Sequence, residues 1–182
     1  MGVNNYLPHY SYDDYKQWKG DWELMEGTPV AMSPAPTISH QTIAYAIARE
    51  LGNSIDDCEQ CLVLGEEDYK ITDDTVLRPD VVMICDEPNE RYITKAPEII
   101  VEVVSKSTAI RDENYKFKIY EAEKVKFYIL IYPDDCRAKI YKLKNDRYSK
   151  EGDFSHEKYD FDGLACPAEV NFTSVFKKVR NN

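Results

Sequence analysis

Asp80, Glu102 and Lys116 are the residues whose types and spacing could do chemistry in this chain. From Ile99 to Val104 the sequence is apolar and largely β-branched except at Glu102, which is how a central strand covered on both faces reads. An ionised carboxylate buried there costs several kcal/mol unless a cation or hydrogen-bond donors compensate it. Its partner is therefore either a bound metal or a fixed Lys or Arg. Arg78-Pro79-Asp80 leads into a second strand-like run one loop earlier, so neighbouring strands would bring Asp80 beside Glu102, and Lys116 follows on the next helical segment.

Two carboxylates at such a distance repel unless a cation lies between them. A magnesium ion fits, because it takes hard oxygen ligands, usually one or two carboxylates with water and substrate phosphate. Bound there it would lower the pKa of a water and offset charge developing on a phosphodiester, while a nearby ammonium stabilises the transition state. Each residue also has a plain structural reading. Glu102 alone is a buried ion pair, Asp80 a turn aspartate after proline, and Lys116 the partner of Asp112 four residues earlier on an exposed helix face.

The elements that must position these groups follow from periodicity. Residues 1 to 20 hold Ser11 with Asp13 and Asp14 behind it, a short capped helix forming an N-terminal helical extension. Trp22 to Met32 reads as a hairpin about Gly27, closed by Pro34 and Pro36. Ile43, Ile47 and Leu51 recur every four residues, predicting a helix from Thr37 to Leu51 stopped by Gly52. His40 lies near its inward stripe, as a core histidine or a ligand. Strands are expected at Cys61 to Leu64, Asp68 to Ile71 and Val81 to Cys85, then the central strand, and a helix capped by Ser107 or Thr108 and ending near Glu123. Val125 to Tyr132 and Arg137 to Leu143 form a strand pair, followed by weaker strands near Tyr148 and Tyr159 and a short segment with Val175 and Phe176. This predicts an α/β (α+β) fold, a mixed central sheet flanked by helices, in one domain over residues 1–182.

Composition bounds the partners. A net charge of −10 argues against strong non-specific binding of nucleic acid. Lys124, Lys126, Arg137, Lys139, Lys142 and Lys144 gather in one region, as a local basic patch or as a solvated face. Uninterrupted apolar runs fall well short of the roughly 18 residues of a membrane span, and no basic-then-apolar leader opens the chain. A cytoplasmic protein is expected, with its five cysteines reduced. Cys58-x-x-Cys61 lacks a second such pair, so neither a zinc site nor a redox pair is expected from it.

The ordered words Trp22-Glu23-Leu24-Met25-Glu26-Gly27, Met32-Ser33-Pro34-Ala35-Pro36-Thr37 with His40-Gln41, Arg78-Pro79-Asp80-Val81, Ala96-Pro97-Glu98-Ile99-Ile100-Val101-Glu102-Val103-Val104-Ser105, and Arg111-Asp112 with Lys116 and Tyr120 resemble the Uma-two-type restriction endonucleases of the PD-(D/E)XK nuclease superfamily. The resemblance implies a restriction-endonuclease-like sheet with an added N-terminal hairpin and C-terminal strands. It further implies a magnesium-dependent (or manganese-dependent) endonuclease acting on nucleic acid, with DNA the expected substrate, as a homodimer. Asp80 and Glu102 become catalytic metal ligands, the Val103 carbonyl a further ligand, and Lys116 the catalytic lysine. Glu23, His40 and Tyr120 become supporting residues, with Glu23 equally a surface residue of the hairpin. Where the superfamily has lysine, two residues after Glu102, this chain has Val104, so the lysine has moved to the helix; Lys106 offers a second ammonium. A catalytically weak binding or interaction module on the same fold is the competing expectation, motivated by the acidic charge. Four exposed-looking aromatics, Phe127, Tyr128, Tyr132 and Tyr141, are the sequence's own ground for self-association.

Overall fold

A computed structural model describes residues 8–32 and 35–179. Pro34, expected to close the hairpin, and the first seven residues of the N-terminal extension lie outside them. The elements run α1 (Tyr12–Tyr15), β1 (Trp22–Met25), β2 (Thr28–Ala31), α2 (Ile38–Ser54), β3 (Cys61–Gly65), β4 (Tyr69–Lys70), β5 (Val76–Leu77), β6 (Val81–Cys85) and β7 (Ile99–Val103). A π-helical turn (Arg111–Lys116) then leads directly into α3 (Phe117–Ala122), followed by β8 (Phe127–Tyr132), β9 (Arg137–Lys144), β10 (Arg147–Phe154), β11 (Lys158–Phe161), β12 (Ala168–Asn171) and α4 (Phe172–Phe176).

The main sheet has the order β10-β9-β8-β7-β6-β3. Only β7 and β8 run parallel, because the chain between them crosses over through the π-helical turn and α3. Every residue of β7 is buried, as its apolar run predicts. Strand alternation then sorts its side chains: Ile99, Val101 and Val103 join the core under α2, and Ile100 joins the core under α3. Glu102 shares the parity of Ile100 and so faces α3.

Helix α2 closes the first face with Ile43, Ile47 and Leu51, each fully buried and each contributing about 1.5–3 kcal/mol by leaving water. Its N-cap is Thr37, whose hydroxyl accepts the His40 N–H at 3.2 Å. The helix runs on past Gly52 to Ser54, because nothing blocks a Cβ-less residue from holding helical backbone. A smaller sheet, β2-β1-β5-β4, covers the second face, with β1 and β2 joined by a tight turn in which Glu26 and Gly27 both have positive φ. The two-residue β5, to which the sequence reading assigned no element, pairs with β1 on the side away from β2.

Three expectations are corrected. The segment expected as one α-helix to about Glu123 opens with a π-helical turn. Phe127 and Tyr128 are fully buried and Tyr132 and Tyr141 half-buried, with Tyr141 edge-on against Phe117 and Tyr128 stacked on Tyr148, so these aromatics are not the exposed patch from which self-association was expected. Four cysteines are bridged, Cys58 to Cys166 and Cys61 to Cys85, with Cys136 free. Sequence separations of 108 and 24 residues hid both pairings. The basic cluster is a solvated face: Lys124, Lys126, Arg137, Lys139, Lys142 and Lys144 each lie within 4.0 Å of a carboxylate. Among the described residues no helix is long and apolar enough to cross a membrane.

Candidate active site

The antiparallel register pairs Val81 with Val101, which sets Asp80 and Glu102 opposite one another where β6 begins and β7 ends. The Val103 N–H donates to Asp80 Oδ2 at 2.6 Å and fixes that carboxylate on the strand edge. His40 Nε2, from the first turn of α2, lies 3.3 Å from the same oxygen. From the other side, Lys116 Nζ donates to Glu102 Oε1 at 2.8 Å, and the Tyr120 hydroxyl donates to it at 3.2 Å. Lys116 and Tyr120 reach one oxygen because four residues of helix place them on one face.

Lys116 is only 2% exposed, so the reading as a solvent-facing helix pair does not hold. Asp112 is buried too, with Oδ1 3.8 Å from the ammonium and without a hydrogen-bond partner. The other close partner is Glu23 Oε1, also 2.8 Å from Lys116 Nζ. Glu23 is fully buried rather than on a hairpin surface, and its Oε1 also accepts the Arg78 N–H at 2.9 Å. Arg111 Nε approaches Glu23 Oε2 at 3.6 Å. Sequence reasoning undervalued Glu23 and Asp112 and gave Arg111 no role. An acid inside the apolar run Trp22 to Met25 was a signal for Glu23, and the four-residue spacing from Lys116 was one for Asp112.

All these groups except Glu23 and Tyr120 line one cleft of about 680 Å³, with Val103, Lys106 and the Ser105–Thr108 loop on its wall. The contact of Val103 with Asp80 is through its N–H.

Burial pushes the Glu102 carboxyl well above the ordinary carboxylate range; Lys116 opposes this, while Asp112, Asp80 and Glu23 add to it. Burial likewise raises Asp112, against the pull of Lys116. Lys116 is raised despite its burial, because Glu102, Glu23 and Asp112 surround it, so it stays an ammonium. Burial pulls His40 down, but its hydrogen bond and ion pair with Asp80 outweigh that and leave it raised. Four carboxylates (Glu23, Asp80, Glu102, Asp112) thus face two permanent cations (Lys116, Arg111) and one histidine. This acid excess, hard oxygen donors on adjacent strands and the orphaned Asp112 Oδ1 fit a divalent cation held by Asp80 and Glu102.

Known proteins agree with this architecture. The Uma2 family model, described as "Putative restriction endonuclease", matches residues 12–161. Two uncharacterized proteins of Synechocystis sp. (strain ATCC 27184 / PCC 6803 / Kazusa) are similar. The protein slr1290 is 30% identical over 153 residues, 77% of either chain, and sll1609 is 28% identical over 131 residues, 69% of this chain and 73% of that one. In three dimensions the chain is similar to the crystal structure of "a putative nuclease belonging to DUF820" from Anabaena variabilis ATCC 29413. That match has a TM-score of 0.73 at 14% identity, over 93% of this chain and 99% of that one, and shows the shared fold. The chain has the restriction-endonuclease-like α+β fold and belongs to the Uma2 family.

Proposed function

We propose that this chain is a metal-dependent endonuclease that hydrolyses phosphodiester bonds of nucleic acid, DNA in the first instance, in the cleft beside Asp80. The observation that carries the reading is the facing pair Asp80 and Glu102 on adjacent strands, with the Lys116 ammonium 2.8 Å from Glu102 and an open cleft in front.

Asp80, Glu102 and the Val103 carbonyl would hold magnesium or manganese, which supplies a water of lowered pKa and a Lewis acid for the phosphate oxygens. The remaining work belongs to the chain's own groups. Val103 N–H and His40 hold Asp80 in one orientation. Lys116, kept charged by Glu102 and Glu23, offers positive charge beside the attacked phosphate, and Arg111 extends it along the cleft. Tyr120 donates to Glu102 Oε1 and so helps hold that carboxylate in place.

The test is cleavage of plasmid and of single-stranded DNA in magnesium or manganese by the wild type, Glu102→Gln and Asp80→Ala, with circular dichroism to verify the fold. Wild-type cleavage lost in both folded variants supports the enzyme. Cleavage unchanged by Glu102→Gln overturns it. One observation favours the second reading, a binding module without catalysis: Lys116 already has two close carboxylate partners, so the cluster also makes sense as a structural ion network. Calorimetry separates the two, because an enzyme binds magnesium or manganese through Asp80 and a module gives no heat at millimolar metal.

A further inference from the structure

Four of the five cysteines converge at the end of the β3–β6 pair remote from Asp80. Cys61 opens β3 and Cys85 closes β6, and they are direct cross-strand partners with Cα atoms 4.0 Å apart. Cys58 precedes Cys61 by three residues, in the turn entering β3. Cys166 arrives from the segment between β11 and β12, with its Cα 6.2 Å from that of Cys58.

The two bridges are in contact, since Cys61 Sγ and Cys166 Sγ lie 2.9 Å apart. Both sulfurs are bridged and carry no proton, so this is a sulfur–sulfur contact and not a hydrogen bond. The Sγ atoms of Cys58, Cys61 and Cys166 all lie within 4.8 Å of one another, and Cys85 is bonded to Cys61. Zinc bound by four thiolates at about 2.3 Å needs sulfurs about 3.8 Å apart at tetrahedral angles, a spacing inside the 4.8 Å that already encloses the Cys58, Cys61 and Cys166 sulfurs.

The surroundings suit thiolates. Lys95 Nζ donates to the Cys85 and Asp86 carbonyls at 3.3 and 3.0 Å, placing a positive charge beside the cluster. The Gln60 amide nitrogen donates to the Ala165 carbonyl and stands 3.9 Å from Cys166 Sγ. Cys61 and Cys166 are buried, whereas Cys58 and Cys85 are half-buried, so metal and reductant have access from one side. A chain of this size with two apolar cores does not depend on staples, which leaves the convergence of four thiols to be explained by what they bind.

We propose that Cys58, Cys61, Cys85 and Cys166 form a tetrathiolate zinc site when reduced, and that the two bridges are its oxidised, metal-free form. Two dithiol molecules, each leaving as its own disulfide, break the two S–S bonds and deliver four electrons and four protons, so the four sulfurs become four thiols. Zinc then replaces those four protons, giving four Zn–S bonds. Peroxide reverses the change: two molecules of hydrogen peroxide take the four electrons and, with four protons from solvent, leave as four waters, while both S–S bonds re-form and Zn2+ is released. Both states tie the β11–β12 hairpin to β3, so metal occupancy changes while the fold stays closed.

The test uses the full chain, reduced with a phosphine under anaerobic conditions, loaded with zinc and desalted, with metal and accessible thiols counted together. One zinc per chain is expected, with Cys136 as the reactive thiol until a chelator exposes four more. Cobalt in its place should give intense thiolate-to-metal charge transfer. Peroxide should release the zinc as four thiols disappear. Cys166→Ser should lose stoichiometric zinc, while Cys136→Ser and Asp80→Ala keep it, which separates this site from the carboxylates. Reduced, folded wild type with five free thiols and no stoichiometric zinc would overturn the proposal, and so would zinc retained in Cys166→Ser. The wild-type count needs no variant, so a misfolded variant leaves the outcome readable.

Discussion

Glu23 Oε1 lies 2.8 Å from Lys116 Nζ, and that ammonium is also 2.8 Å from Glu102 Oε1. One buried cation therefore bridges a carboxylate from the small sheet and one from the central strand. The candidate catalytic lysine is held by both sheets at once, and its position depends on the hairpin as much as on its own helix.

Removing that cation leaves two buried carboxylates uncompensated. Lys116→Met should cost about 3–5 kcal/mol of stability, the usual penalty for breaking a buried pair from one side. Adding Glu23→Gln to Lys116→Met should recover part of the loss, since one stranded charge goes with it. A double-mutant cycle by urea unfolding checks this, and additive losses would show the contact to be energetically idle.

Metal binding should stabilise the native state, because an unfolded chain has no paired Asp80 and Glu102. At a metal concentration 100 times its dissociation constant the gain is about 2.7 kcal/mol. Magnesium or manganese should raise the wild-type melting temperature and leave that of Asp80→Ala unchanged. Differential scanning calorimetry at constant ionic strength is the measurement.

Glu157 predicts a distinct acid response. Its carboxylate accepts the Ser155 and His156 N–H groups at 2.9 and 3.0 Å in the turn between β10 and β11. Those backbone donors, Ser155 first, hold its pKa down to about 2, against the ordinary 4.5. A depressed folded pKa adds stability that is fully present above the unfolded value and disappears as pH falls through the folded one. Glu157→Gln should thus be less stable than wild type at pH 6 and converge with it towards pH 2, as read from denaturant midpoints across that range.

Thr37 caps α2 through its hydroxyl and the His40 N–H, so one cap sets both the helix start and the histidine beside Asp80. Thr37→Ala should cost about 1 kcal/mol, and Thr37→Ser should restore most of it. If cleavage is present, Thr37→Ala should lower it more than the stability loss explains, through looser placement of His40.

Local chemistry wrote much of this molecule directly. The unbroken apolar run with one acid made β7 a central strand and marked Glu102 as needing a partner, and the Pro79-Asp80 turn lay one loop away from it. The period-four stripe with Thr37 before it defined α2, whereas the clustered basic residues left a binding patch and a solvated face both open until their carboxylate partners came into view. These features rest on neighbours within a few residues, where backbone preference and side-chain period act. Which face of the hairpin is covered, and hence whether Glu23 is surface or core, depends on the sheet that packs over it. Period two names two faces without saying what meets them. The same limit hid the cysteine pairings, since Cys61 and Cys85 meet only through strand register and Cys166 arrives from beyond β11. The long-range packing of α3 against β7 decided that Lys116 is a buried ammonium between Glu23 and Glu102 rather than an exposed partner of Asp112.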